Sequence, residues 1–527
     1  MNALHFMKPK TLQTTAAFLL LAETLLLSGA LAQGQAFSDT NWLSLGGVWT
    51  PTGRGNVSAT VVDSAGNLYI GGHFTRAGST SATNIAKWDG TTWSALGPGL
   101  GSSAYGAVDA LAVSGTNVYA GGTFTNAGVL AASKIAQWNG SAWSALGTGM
   151  GSIGIVFALA VSDSTLYAGG SFASAGGVPA NYVAQWNGSS WSALNSGQWN
   201  CYSVYSLAVS GSTLYAGGNF SMAGGVAATN IAAWNGGSWS ALGSGVSGGS
   251  FPLVYALAVS GSTLYVCGQF TNAGGATASS IAQWNGSSWS ALGSGVSGGA
   301  LGPVVQALAV ANSAVYAGGD FNFAGGLEAD YIAKWNGSSW SGLGSGLNNQ
   351  VNALALSGAN LYVGGVFTTA GTNAAPGVAE AAFPKLPATV TLGNLVQAFD
   401  GSPKYVTYST SPPGLPVTIT YNGSASTPSN LGSYTVIGTI NDPSYQGSAT
   451  NTLTIILQLT APAWTGSNGF QFSFNTASGV TYTIQLSSDL KTWTPALVFS
   501  GSGGPLTIFD PNARSSGRRF YRVMVLP

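Results

Sequence analysis

The chain has 527 residues, with 14 Lys and Arg against 14 Asp and Glu, so 5% of it is charged, where a soluble domain ordinarily carries about a quarter. So few cations leave no footprint for nucleic acid. With 45% hydrophobic residues, 17 Trp, 20 Tyr and 21 Phe, the chain has too much apolar surface and too little charge to stay disordered.

Lys8 and Lys10 precede an apolar stretch from Ala16 to Ala32, which ends Ala30-Leu31-Ala32 before Gln33. That order is the layout of a secretory signal peptide, 1–32, with cleavage expected after Ala32. Glu23 interrupts the stretch, and no later run approaches the about 20 apolar residues that span a bilayer. The mature chain is expected to be secreted, extracellular or at the cell surface, with no transmembrane segment.

From residue 37 to 384 the sequence repeats. A Leu or Val, a Tyr, a small or apolar residue, Gly-Gly, any residue and Phe recur with the Tyr at Tyr69, Tyr119, Tyr167, Tyr215, Tyr265, Tyr316 and Tyr362. Cys267 replaces one glycine of a pair. After each of the first six come Ile/Val-Ala-x-Trp, Asn-Gly or Asp-Gly, and Trp-Ser-x-Leu, as at Trp138 and Trp143. Each unit holds four short β runs, for example Val108 to Val113, Val118 to Phe124, Ile135 to Trp138 and Trp143 to Leu146. The Asn-Gly pair is expected to supply the positive φ angles of a tight hairpin, with the flanking Trp as a cross-strand pair. Four strands per unit of about 50 residues predict an all-β fold, a seven-bladed β-propeller.

The ends of the array predict closure. The seventh unit has Tyr362 and a third strand at Gly377 to Phe383, yet no Trp-Ser-x-Leu strand follows it. The missing strand stands at the other end, as Trp42-Leu43-Ser44-Leu45. The N-terminal strand is therefore expected to complete the last blade, which removes the exposed edges an open stack would leave.

The pattern LYxGGxF, AGG, IAxWNGxxWSxLG resembles the kelch-like propeller repeats of the cortical cell-polarity marker group. The resemblance implies mainly protein or glycan binding, with occasional oxidases. An oxidase of that type would need a copper site of Tyr and His; the mature chain keeps one histidine, His73, so no cofactor is expected.

Pro384-Lys385-Leu386-Pro387 reads as a linker. From 388 to 457, strands separated by turn clusters such as Ser411-Pro412-Pro413-Gly414 predict a small β-sandwich. Its phrases Tyr421-Asn422-Gly423-Ser424 and Gly432-Ser433-Tyr434-Thr435-Val436 resemble the MBG-type immunoglobulin-like repeats of bacterial surface proteins. A second sandwich is expected over 458–527. Tyr482-Thr483-Ile484-Gln485-Leu486 and Arg519-Phe520-Tyr521-Arg522-Val523 are similar to fibronectin-like C-terminal modules of secreted bacterial proteins. Arg514, Arg518, Arg519 and Arg522 form the one basic cluster, read as solvated strand ends with an anionic-surface patch as the alternative.

Candidate chemistry is sparse. Between Ser164 and Gly319 there is no Asp, Glu, Lys, Arg or His, so about three blades present a neutral face. His73 occupies a slot that other repeats fill with Thr123, Ser171, Asn219, Gln269, Asp320 and Val366, which marks a surface position. Asp320, Glu328 and Asp330 are the dense acidic group; paired carboxylates could run glycoside hydrolysis or bind calcium, and drift in a solvated loop is the favoured reading. The Asn-Gly-Ser sequons read as turn chemistry. Cys201 and Cys267 lie in neighbouring repeats, and a disulfide between them stays open. The loops between blades vary most, and Tyr105, Trp199, Tyr202 and Phe251 place aromatic faces there, suited to stacking on sugars or anchoring a protein.

The sequence thus predicts a secreted or cell-surface, non-catalytic binding or adhesion protein that recognises a glycan or an extracellular protein. An extracellular polysaccharide hydrolase or lyase, and a passive envelope or matrix component, are the alternatives.

Overall fold

The computed structural model describes residues 37–101, 106–151, 154–194, 199–300, 302–311, 314–442, 444–466, 469–515 and 517–526; the expected signal segment lies outside the described residues. The chain divides into two compact units between Pro384 and Lys385. Both are built of small β-sheets, antiparallel apart from two short parallel pairings.

In the first unit each repeat folds into one antiparallel sheet with a four-strand path, to which the fourth repeat adds the short strand Val226–Ala227. In the second repeat Val108–Ser114, Asn117–Gly122, Ile135–Trp138 and Trp143–Ala145 follow one another across the sheet in chain order. Val108, Ala110 and Ala112 are buried and alternate with half-buried neighbours, the period of two that a pleated strand imposes. Seven such sheets are present among the described residues. The seventh takes Val351–Ser357, Asn360–Gly365 and Val378–Ala382 from one end of the array and Trp42–Ser44 from the other. Trp42 pairs with Ala381, Leu43 with Glu380 and Ser44 with Ala379.

The sheets are latched in order. The indole Nε1 of Trp93, Trp143, Trp191, Trp239, Trp289 and Trp340 donates to the carbonyl of Leu45, Leu96, Leu146, Leu194, Leu242 and Leu292 of the preceding sheet, at 2.6 to 3.2 Å. Trp42 makes the seventh such bond, to Leu343 O at 3.2 Å. The innermost strands lie side by side in chain order, and Asn56–Val62 of the first sheet also lies beside Val351–Ser357 of the seventh.

The Gly-Gly pairs have two separate causes. A Cβ on the first glycine, as at Gly121, Gly217 or Gly364, would run into the inner-strand valine of the next sheet, Val156, Val254 or Val57. A Cβ on the second, as at Gly122 or Gly218, would meet the Ala107 or Ser203 carbonyl of its own sheet. Close approach of backbone, not chain reversal, demands glycine here. In the fifth repeat Cys267 stands at the first position and is fully buried, in one cluster with Val305.

One local expectation is corrected. Trp138 and Trp143 do pair across the hairpin, with ring centroids 5.5 Å apart, but Asn139 lacks a positive φ and only Gly140 has one, at 97°. The Asn139 Oδ1 instead accepts from the Ser141 and Ala142 N–H groups at 3.0 and 2.8 Å. Asparagine serves here through its side-chain carbonyl. Asn187 makes the same bonds inside its sequon. Asp89 makes them with a carboxylate, whose pKa the Thr92 and Thr91 N–H donors hold well below the usual range.

In the second unit no ladder crosses residue 458: strands from Leu386–Pro387 to Ser448–Ile456 pair among themselves, as do those from Thr460–Thr465 to Phe520–Val525. One cluster of buried residues nevertheless serves both groups, joining Val390, Val436 and Leu453 to Phe472, Phe474 and Tyr482. The expected linker is partly strand, since Leu386 and Pro387 pair in parallel with Tyr445 and Gln446. Most of the basic cluster is engaged internally. Arg519 forms an ion pair with Asp510, Arg522 donates to Gln485 at 2.7 Å and lies 4.4 Å over Trp493, and Arg514 lies 5.1 Å over Trp464.

Candidate functional site

The inner strands share one irregularity. Each loses register by one residue directly after its first buried valine: between Val57 and Ala59, Val108 and Ala110, Val156 and Ala158, Val204 and Ser206, Val254 and Ala256, Val305 and Ala307, and Val351 and Ala353. The seven bulged residues are Ser58, Asp109, Phe157, Tyr205, Tyr255, Gln306 and Asn352. All are half-buried, and all but Tyr255, whose neighbour Ala256 is itself half-buried, lie between buried neighbours. A β-bulge re-aims the side chain it carries, so seven sheets bring seven side chains of six kinds to equivalent positions at one end of the inner strands.

These side chains sort by chemistry into two arcs. Phe157, Tyr205 and Tyr255 are consecutive and in ring contact, with centroids 5.1 Å and 5.7 Å apart. Gln306 and Asn352 follow them and are tied together by Gln350, whose Nε2 donates to Gln306 Oε1 at 2.5 Å and to Asn352 Oδ1 at 3.0 Å. Asn352 Nδ2 donates onward to Val57 O of the first sheet at 3.2 Å. Ser58 and Asp109 complete the collar. Desolvation pushes the Asp109 carboxyl up to about 6, and no described group donates a hydrogen bond to it.

Below the collar lies a cavity of about 180 Å³, lined by inner strands of all seven sheets and by Phe157, Tyr205, Gln306 and Asn352 of the collar. A second, of about 340 Å³, continues along the strands and shares Thr60, Leu308 and Leu354 with the first. The side chains that line it are apolar apart from Thr60, whose buried Oγ1 has no hydrogen-bond partner.

The residues singled out from sequence have varied settings. Tyr105 lies outside the described residues. Tyr202 and Phe251 are 82% and 71% exposed and stand a few residues before Tyr205 and Tyr255, so they flank the aromatic arc in sequence. Trp199 does not offer a free face: it packs edge-on against Phe220 and Trp239, centroids 5.4 and 5.2 Å away, within the core of its repeat. Asp320 pairs with Val304 at the collar end of the sixth sheet. Glu328 is exposed on a rim hairpin opposite Phe323, and Asp330 accepts from Asn322 Nδ2 at 3.0 Å. No group of three His, Cys, Asp or Glu placed to hold a metal occurs among the described residues. Cys201 and Cys267 are free thiols. Cys201 faces Phe220 in its own sheet while Cys267 is enclosed between Ala256 and Ile281, and burial pushes the pKa of both upward, Cys201 to about 12.

Sequence reading missed the collar itself. Its signal is the variable column in Val-x-Ala-Leu-Ala: the column holds Asp109, Phe157, Tyr255, Gln306 and Asn352 while its neighbours barely change.

No curated protein matches the chain. A solved structure named as a glycoside hydrolase is similar at 10% identity over 79% of this chain and 94% of that one, with a TM-score of 0.23. Among the described residues no helix is long and apolar enough to cross a membrane. Residues 388–458 match the MBG domain family, a domain typical of extracellular bacterial proteins.

Proposed function

We propose that this is an extracellular, non-catalytic binding protein in which the seven repeat sheets are the blades of a β-propeller and the end carrying the collar and the between-repeat loops is the recognition surface. The observation that carries the reading is the bulge column. Seven sheets with constant valine and nearly constant glycine and tryptophan positions place side chains of six kinds around one mouth, the division between rigid scaffold and variable contact that binding surfaces show. The MBG match supports the location, and the single carboxylate in the collar supports binding over acid–base turnover, which ordinarily uses a pair.

The test is a pelleting assay of the full chain with envelope material of the producing cells. Saturable retention that falls in a Tyr202→Ala/Tyr205→Ala/Phe251→Ala variant of unchanged melting temperature is the expected result. Retention indifferent to those substitutions, or steady release of reducing ends from the material, would overturn the reading.

A further inference from the structure

Resting on that reading and narrowing it, we propose that the collar is a binding site for the terminal ring of a neutral saccharide, with the sugar's C–H face on the Phe157–Tyr205–Tyr255 arc and its hydroxyls toward Gln306, Gln350 and Asn352.

The aromatic arc supplies the apolar half. Its three rings are adjacent, half-buried and inclined at 47° and 49° to their neighbours, a curved wall that meets the C–H-rich face of a pyranose. The hydroxyls of Tyr205 and Tyr255 make no hydrogen bond to a described residue, though the two phenols interact electrostatically, so the same wall offers donors at its edge.

The amide arc supplies the polar half and is already set. Gln350 fixes Gln306 and Asn352 by two hydrogen bonds, and Asn352 is fixed again on Val57 O. Those bonds use Gln350 Nε2, Gln306 Oε1, Asn352 Oδ1 and Asn352 Nδ2. They leave the Gln306 Nε2 donor and the Gln350 Oε1 acceptor open among the described residues. Groups held in place before binding lose little entropy when a hydroxyl arrives.

Charge and size choose the ligand class. No Lys or Arg stands in the collar, and Asp109 is its one ionisable group besides the tyrosines, so a uronate or sialylated end would meet a carboxylate and no cation. The cavity of about 180 Å³ beneath the collar is smaller than the roughly 300–1,000 Å³ that encloses a drug-sized ligand. It takes a chain end and not an internal stretch. The side chains lining the next cavity inward are apolar apart from Thr60, so the rings and side-chain amides that would grip a sugar stand at the collar.

The experiment uses the full chain with an array of neutral oligosaccharides of gluco, galacto and manno configuration, beside sialylated and uronate-bearing ones, and calorimetry on the best binder. Binding of a neutral oligosaccharide is expected, weakened about tenfold or more by Tyr205→Ala, since one stacked ring with its area is worth about that factor. Gln306→Ala is expected to weaken it several-fold. Tyr205→Phe keeps the ring and retains binding within about threefold, which separates loss of the stack from loss of the fold. Binding that ignores Tyr205→Ala but falls in Tyr202→Ala/Phe251→Ala would move the ligand to the loops, overturning this site and leaving the recognition surface standing. A preference for anionic glycans, or no retained saccharide by a protein that still binds envelope material, would overturn the ligand class alone.

Discussion

Asp109→Asn tests whether the collar exacts a cost from the fold. The native carboxyl is half-buried, receives no described hydrogen bond, and titrates at about 6 against an ordinary 3.8 because burial penalises its charge. Below pH 3.8 the group is neutral in both states and costs nothing. Between 3.8 and 6 the unfolded chain ionises first, so stability falls as pH rises; above 6 the full penalty persists. A shift of about two units at about 1.4 kcal/mol each sets an upper bound of about 3 kcal/mol. The amide has the same shape without the charge, so Asp109→Asn should match the wild type near pH 4 and exceed it by about 1–3 kcal/mol at pH 8. Denaturant unfolding followed by Trp fluorescence reports this unit, since 15 of the 17 Trp precede Pro384. A variant equal to or weaker than wild type at pH 8, or a gap that does not change with pH, would refute the argument. A gain in stability would mean that the chain keeps a destabilising carboxylate at the mouth, as sites selected for contact with a ligand do.

Other outcomes follow from the scaffold. Trp42→Ala removes a ring that is 1% exposed, packed edge-on to Phe37 and bonded to Leu343 O, and should cost about 3–5 kcal/mol in chemical unfolding; deletion of residues 39–46 should abolish the cooperative transition. Gly217→Ala forces a methyl into Val254 and should cost about 1–3 kcal/mol, whereas Cys267→Ala, where the fifth repeat already holds a side chain, should cost less, the two compared by thermal melts. Lys134 sits at φ 68°, where the first and fourth repeats have Asn84 and Asn230 bonded to both flanking backbones; Lys134→Asn should stabilise by about 1 kcal/mol, read in the same melts. A chromogenic thiol reagent at pH 8 should leave the folded protein untouched and titrate both cysteines in denaturant; none titrated would establish a bridge.

Much of the first unit is legible in sequence because its constraints are local and repeated. Spacing of Tyr-x-Gly-Gly, Trp and Trp-Ser-x-Leu locates the four strands, and the absent last strand of the seventh repeat points to Trp42. The collar is not legible in any one repeat, since a bulge is a shift in pairing between two strands and no residue type marks it. Phe157, Tyr205 and Tyr255 read within their own strands as ordinary β residues; their kinship appears only when the repeats are stacked and the column after valine is seen to vary. Trp199 misleads for the opposite reason. Position in a variable loop implies exposure, but its ring folds back on Phe220 and Trp239, contacts set by tertiary packing. The hairpin asparagines were legible as turn residues, while the atom that acts, the side-chain oxygen, becomes visible only with the loop's four-residue length.

The pairing of Trp42 with Ala381 also bears on how the chain is made. A ribosome releases residue 42 long before residue 381, so the earliest segment to emerge is among the last to be seated, and the seventh sheet stays incomplete until translation has passed the whole array. Chains interrupted anywhere short of that point carry an unpaired strand at one end and a vacant edge at the other. Truncated products should therefore join to one another or be degraded, and complete ones should become protease-resistant in a single late step.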